Sequence, residues 1–341
     1  MESNTDILFA LLRGAIEGRK IVLSSQIETS RWWHLFRLAQ QNHVAAMTAD
    51  TMATLDVPRE VKIPWLSERD KAVRWHLYQS EVQQEIVSAM KQRGIETLVL
   101  KGTHTAQYYP IPVTREFGDL DLYFYDKHGE ADRVAREVLK VSVSNEAHHH
   151  SKYNYRGVTV ESHYVFLNTH YPPSNRRYES LLKQLSTNSS PTFEVLFLLR
   201  HMACHFAASR ITLRDLVDWT LTCRALEDKV DWVLAEKTIK DYGMTDFVVV
   251  LCTIAERRLG VQQNTLSLPH SSTLPLIEKD IVYGSVDDHD ANGVSRLLWK
   301  MRRWNALAWK RQMVYNDSPF SLLLSSLASH TMKPQSILHK Q

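Results

Sequence analysis

Residues 98–124 read LVLKGTHTAQYYPIPVTREFGDLDLYF, and the change of pattern they bring decides the fold. Ahead of them apolar residues recur three and four apart, which is the mark of helices. Gly94 then supplies a helix C-cap, and the β-rich run Thr97 to Leu100 ends in Lys101-Gly102. From there to Asn168 the elements alternate. A strand (TLVLK), a short helix (THTAQYY), a strand (DLDLYFY) and a helix (EADRVAREVLK) lead into two strands around Tyr153 and over VTVESHYVF, with a turn at Arg156-Gly157. Such a succession predicts an α+β unit, a small mixed β-sheet with helices packed on one side.

Working outward, the chain is helical on both flanks. Upstream lie ILFALL, RWWHLFRLAQQNHVAAMTADTM and a long amphipathic stretch from Glu68 to Lys91, with Pro58 and Pro64 marking connections. Downstream of Thr192 come FEVLFLLRHMACHF, LRDLVDWTLTCRAL, VDWVLAEKTIK, FVVVLCTIAERRL and a last helix from about Gly293 to Tyr315, with a Ser/Thr/Asn/Pro-rich loop from Gln262 to Pro275. The expected organisation is an N-terminal helical region (1–93), a catalytic core (94–168) and a C-terminal helical domain (169–341).

Composition narrows the class. At 341 residues, with 44% hydrophobic and 23% charged residues, the chain has ample material for a core and none of the marks of disorder. A net charge of +3 does not by itself identify a nucleic-acid binder. Three cysteines without a CxxC pair argue against a disulfide framework and a cysteine-rich zinc site, so a reducing cytoplasm is expected. MESNTDILFALLRG has acids where an export signal has a basic region, and Phe247 to Ala255 is too short to span a bilayer; no membrane partner is expected.

The chemistry is concentrated at Gly118-Asp119-Leu120-Asp121-Leu122. Residues two apart in a strand share a face, so Asp119 and Asp121 project together while Leu120, Leu122 and Phe124 point into the core. Paired carboxylates suit Mg²⁺ (or Mn²⁺), which neutralises triphosphate charge in nucleotidyl transfer. A third carboxylate on a neighbouring strand would bind one metal and help to deprotonate the acceptor. Glu161 is the candidate, on the polar face of VTVESHYVF with Thr159 and His163.

LVLKGTHTAQYYP..VTREFGDLDLYF followed by VESHYVF resembles a nucleotidyltransferase family of the polymerase-beta-like superfamily, which pairs an LKG strand end with R..GDxDL and a later (D/E)xHW-like strand. More distantly it is similar to the KGGT-containing nucleotidyltransferases of bacterial abortive-infection and toxin systems. The match covers roughly residues 95 to 167, with an echo in LLRHMACHFAASRITLRDLVDW. The resemblance implies that Asp119, Asp121 and Glu161 are the catalytic, metal-binding carboxylates and that Lys101, Gly102 and Thr103, with Gly118, meet the nucleotide phosphates. The wider superfamily has Gly-Ser where this chain has Lys101-Gly102-Thr103, and the family has Trp where it has Tyr164. Two roles stand open for Arg115: reaching phosphate, or pairing with Asp119 or Asp121.

Other features invite chemistry less directly. His201 and His205 are four apart on a helix, but Met202 replaces the Glu of HExxH, so packing explains them. The run His148-His149-His150 reads as a partly exposed strand start, because consecutive strand residues point in different directions. Arg296, Lys300, Arg303, Lys310 and Arg311 fall in one stripe of the last helix, opposite Leu297, Leu298, Met301 and Trp309. The default for that stripe is a solvated face; the first three are candidate contacts to an acceptor or RNA.

The expected function is transfer of an NMP from an NTP to a hydroxyl or phosphate acceptor (small molecule, peptide or protein, or tRNA) with release of pyrophosphate. The alternative is a non-catalytic nucleotide- or RNA-binding regulatory protein that keeps the fold.

Overall fold

The structure is a computed structural model that describes residues 2–24, 26–144, 149–187, 190–262, 274–284 and 294–331, with backbone only at 294–297 and 329–331. Helices α1 (Asn4–Glu17), α2 (Thr29–Gln41), α3 (Ala45–Ala53) and α4 (Arg59–Gln92) come first. Then follow β1 (Leu98–Val99), α5 (Thr103–Ala106), β2 (Leu120–Tyr123), α6 (His128–Glu137), β3 (His150–Tyr155) and β4 (Val158–His163). The remaining elements that concern us are α7 (Asn175–Ser186), α8 (Pro191–Ala208), α9 (Leu213–Ala225), α10 (Trp232–Asp241), α11 (Thr245–Ile254), α12 (Leu274–Tyr283), α13 (Val294–Ala306), α14 (Ala308–Val314) and α15 (Pro319–Thr331). The chain is therefore α+β. No helix of the described residues is long and apolar enough to cross a membrane.

The chain forms two compact units. One comprises Met1–Phe166, Thr212–Ala225 and Ala255–Val261; the other comprises Leu167–Ile211, Leu226–Ile254 and Gln262–Gln341.

In the first unit the four strands run in the order β1-β2-β4-β3, with β2 and β4 parallel and the outer pairs antiparallel. The β3–β4 hairpin turns at Arg156 and Gly157, both at positive φ (52° and 82°), as a two-residue primed turn requires. Asn154 closes it by accepting from the Gly157 N–H. One face of the sheet carries Leu120, Leu122, Tyr153, Val158 and Val160 into a buried cluster with Val82, Ile86 and Met90 of α4 and Ala131, Val134 and Ala135 of α6. Each fully buried aliphatic side chain there contributes about 1.5–3 kcal/mol. The sheet is thus anchored on that side, and its polar residues are left to the other.

The upstream helices depart from the sequence expectation at two places. The stretch 31–52 is two helices, α2 and α3, because His43 takes a positive φ of 54° and the Asn42 side chain bonds back to the Leu38 carbonyl. Pro64, expected at a connection, lies inside α4. The helix continues through it because Val61 and Trp65 are fully buried on either side and the Trp65 indole donates to the Ala45 carbonyl, a tertiary gain that outweighs the missing N–H.

In the second unit α8 carries Arg200, fully buried yet satisfied. Its guanidinium donates to Asn175, Ser174 and the Val314 carbonyl and lies over the rings of Tyr178, Tyr242 and Tyr315. The His201 and His205 rings meet edge to face, their centroids 4.4 Å apart, and among the described residues no third ligand joins them. The expected basic stripe is corrected here. The last helix breaks at Leu307 into α13 and α14, and Lys310 turns inward to pair with Asp280 at 2.6 Å with no exposed surface. Arg311 is likewise buried, over the Trp304 ring, whereas Leu298 and Met301, on the side opposite the stripe, are exposed. A lone buried carboxylate has to be neutralised, so Asp280 takes Lys310 out of the stripe.

Candidate active site

The strand register assembles the site. Residues paired across a ladder share a face, and β2–β4 pairs Asp121 with Glu161 and Tyr123 with His163, while β3–β4 pairs Lys152 with Glu161 and His150 with His163. Asp121, Glu161, His163, His150 and Lys152 therefore stand together on the face opposite the apolar cluster. The alternation that buries Leu120 and Val160 is what turns these residues the other way.

Their contacts are dense. Asp121 takes the Lys101 ammonium at 3.2 Å on one oxygen and His163 Nε2 at 3.1 Å on the other. A carboxylate only accepts, so His163 carries its proton on Nε2, and its buried Nδ1 has no hydrogen-bond partner among the described residues. His163 Nε2 is also 3.7 Å from Glu161, whose other oxygen lies 3.5 Å from His150 Nε2 and 3.4 Å from the Lys152 ammonium. Two carboxylates are thus held close by four cationic or imidazole groups. Asp119 sits in the bend just ahead of β2 and is exposed.

The segment in front of the carboxylates is fixed from behind. Gln79 of α4 donates to the Gly118 carbonyl at 2.6 Å. Arg115, for which two other roles were open, is clamped by Asp218 of α9: Nε to Oδ1 at 2.7 Å and Nη2 to Oδ2 at 2.6 Å, with Tyr109 donating to the same Oδ1 at 2.6 Å. Burial opposes the Arg115 charge, but the Asp218 carboxylate more than offsets it and raises the guanidinium above its ordinary pKa. Burial, then the Asp218 charge, pushes the Tyr109 phenol well up. Beside this segment a cavity of about 340 Å³ is lined by Trp75, His76, Gln79, Phe117, Gly118 and Arg214. Burial pushes His76 below its usual value, so its imidazole is neutral at pH 7.

The Lys101-Gly102-Thr103 corner is built for a tight approach. Gly102 takes φ 68°, and an added Cβ would sit 3.4 Å from the Phe117 ring. The Thr103 hydroxyl donates to Gln83 at 2.6 Å. Arg296, Lys300 and Arg303 belong to the other unit: the Arg296 side chain lies outside the described ones, Lys300 is half-buried, and Arg303 donates to the Ala208 carbonyl while lying over Trp299.

Three participants escaped sequence reasoning. His150 was set aside with its neighbours, although the i, i+2 spacing of His150 and Lys152 places both on the Glu161 face once β3 begins at His150; His148 lies outside the described residues. Asp218 had no local signal, because its partner is 103 residues away.

The donor chemistry suits a divalent cation. Asp121 and Glu161 supply oxygens, and one ligand atom from each of His150, Glu161 and His163 lies within 4.8 Å of the others, the one such group of three among the described residues. No curated protein and no solved structure matches the chain. Residues 28–260, which span all four strands, α4 and Asp218, match the family model described as uncharacterised nucleotidyltransferase, and the chain belongs to that family.

Proposed function

We propose that the protein is a divalent-metal-dependent enzyme that transfers an NMP from an NTP to a hydroxyl or phosphate acceptor and releases pyrophosphate. The main support is the pairing of Asp121 with Glu161 across parallel strands on the polar face of the sheet, with Asp119 two residues ahead. These three carboxylates would hold the metal, which when bound supplies Lewis acidity at the α-phosphate and lowers the pKa of the acceptor hydroxyl. Glu161 accepts the hydroxyl proton as the acceptor oxygen bonds to the α-phosphorus and the bridge to the β-phosphate breaks. Lys101 moves from Asp121 to the triphosphate oxygens, a short step for a flexible ammonium whose side chain keeps 20% of its surface exposed. His163 holds Asp121 in place. A side chain at Gly118 would meet nothing within 4 Å, so packing does not require glycine there, whereas the close approach of a substrate does. The cavity beside Gly118 is the natural seat for the base or the acceptor.

The direct test is label transfer from α-³²P-NTPs to pools of metabolites, peptides and tRNA. We expect transfer that stops on chelation and falls by about 10²-fold or more in Glu161→Gln, the scale at which a general base acts. Absence of transfer to every pool, with every base, refutes the catalytic reading. In that case the Lys101–Asp121 ion pair, where the superfamily has Gly-Ser, favours a scaffold that binds without turnover. Calorimetry then separates the two, since a Lys101-neutralised site gains no nucleotide affinity from added metal.

Whether the acceptor is RNA is read from α13. Reversing Arg296, Lys300 and Arg303 to Glu should weaken tRNA binding by about tenfold or more at low salt and flatten its salt dependence. Unchanged tRNA affinity and slope assign the acceptor to the small molecules or peptides.

A further inference from the structure

The sheet face offers something carboxylates alone do not: two imidazoles held by strand register. His150 and His163 are directly paired across β3 and β4, with ring centroids 5.3 Å apart, and Glu161 stands beside both. The separations from Glu161, 3.5 Å to His150 Nε2 and 3.7 Å to His163 Nε2, exceed normal hydrogen bonds to a carboxylate. Ligands around an ion with bonds of about 2.1 Å stand roughly 3.0–3.5 Å apart, and with one ligand atom from each of the three residues within 4.8 Å of the others, small side-chain adjustments close the set on an ion. The three side chains are enclosed, with 11%, 18% and 7% of His150, Glu161 and His163 exposed, and all rest on ladder positions rather than loops. Preorganisation of this kind is what a metal site needs.

Mg²⁺ prefers oxygen and keeps its waters, whereas imidazole nitrogen suits the first-row transition ions. We infer that His150, Glu161 and His163 form a cation site selective for a divalent transition ion (Mn²⁺, Co²⁺ or Zn²⁺) over Mg²⁺, with Asp121 at its border. Binding at Nε2 moves the His163 proton to Nδ1, the tautomer that frees Nε2 to ligate, and replaces the Nε2–Asp121 hydrogen bond by the ion. Lys152, half exposed at the rim, withdraws from Glu161 as the ion enters. The site shares Glu161 with the proposed catalytic centre and so rests on that carboxylate being metal-binding, but it makes a demand of its own: nitrogen donors.

Titrating chelator-treated full-length protein with Co²⁺ reads the donors directly, because nitrogen ligation of Co²⁺ in a low-coordinate site gives strong visible d–d absorption. We expect one equivalent to bind at least tenfold tighter than Mg²⁺, Zn²⁺ to displace it, and His150→Gln and His163→Gln each to weaken it by about tenfold or more. His150→Gln, at the start of the outer strand β3, is the safer variant if His163→Gln does not fold. Wild-type protein that binds Co²⁺ no more tightly than Mg²⁺, or folded His150→Gln that binds it unchanged, overturns the inference. The two readings fail separately: NMP transfer with Mg²⁺ alone and no Co²⁺ preference sinks this one, while tight Co²⁺ binding without transfer sinks only the catalytic one.

Discussion

Asp121→Asn should abolish nucleotidyl transfer, lowering single-turnover label transfer on the order of 10³-fold or more, while leaving the fold in place. The magnitude follows from what the charge does: each ligand carboxylate lost from a phosphoryl-transfer centre removes several kcal/mol of transition-state stabilisation, and about 1.4 kcal/mol is a factor of ten. Asn keeps the shape and can still accept from His163, so β2 should pair as before, and Glu161 loses a neighbouring negative charge. What remains is the Lys101 ammonium without its 3.2 Å partner, and that side chain reaches solvent. The cost to folding should therefore stay near that of a partly exposed ion pair, about 1 kcal/mol or less. Transfer kinetics read alongside a thermal melt checks both halves. Transfer above a tenth of wild type removes Asp121 from the catalytic assignment.

The largest stability effect is expected at Asp218→Ala, about 3–5 kcal/mol by urea denaturation. Asp218 accepts three hydrogen bonds, two from Arg115 and one from Tyr109, and the Arg115 side chain is only 3% exposed. Removing the carboxylate leaves a buried guanidinium with no counter-charge, which is where the cost arises, since the intact pair is itself only weakly stabilising once desolvation is counted. The double variant Arg115→Met/Asp218→Leu should accordingly recover most of the loss, a coupling that a simple packing defect would not show. A cost below 1 kcal/mol for Asp218→Ala would mean that Arg115 finds another partner. Because Arg115 precedes the Gly118-Asp119 turn by three residues, the single variant should also lose transfer, through misplacement of the carboxylates rather than loss of a reacting group.

Much of the site was legible because strand chemistry is local. Period two in DLDLY and VTVESH states which residues share a face, and the switch from helical spacing at Gly94 states where the sheet begins. Asp121, Glu161 and His163 follow from that alone. Arg115 does not: its guanidinium is suited to phosphate and to carboxylates alike, and only a helix from far along the chain decided between them. His150 failed for a different reason. Within a His-His-His run local periodicity has no register, and only the pairing with His163 selects the member that faces Glu161.

The basic stripe shows the opposite failure. A helical projection treats all five cations alike, but Asp280 claims Lys310 and a break at Leu307 ends the stripe. Pro64 was overruled in the same way, by the burial of Trp65.

Alternation and capping, which act over a few residues, made the mixed sheet, its apolar underside and its polar upper face readable from the amino acids in order. Which cation neutralises which acid was settled only by folding, because a buried charge takes its partner from whatever the tertiary structure brings within about 3 Å, however distant in sequence.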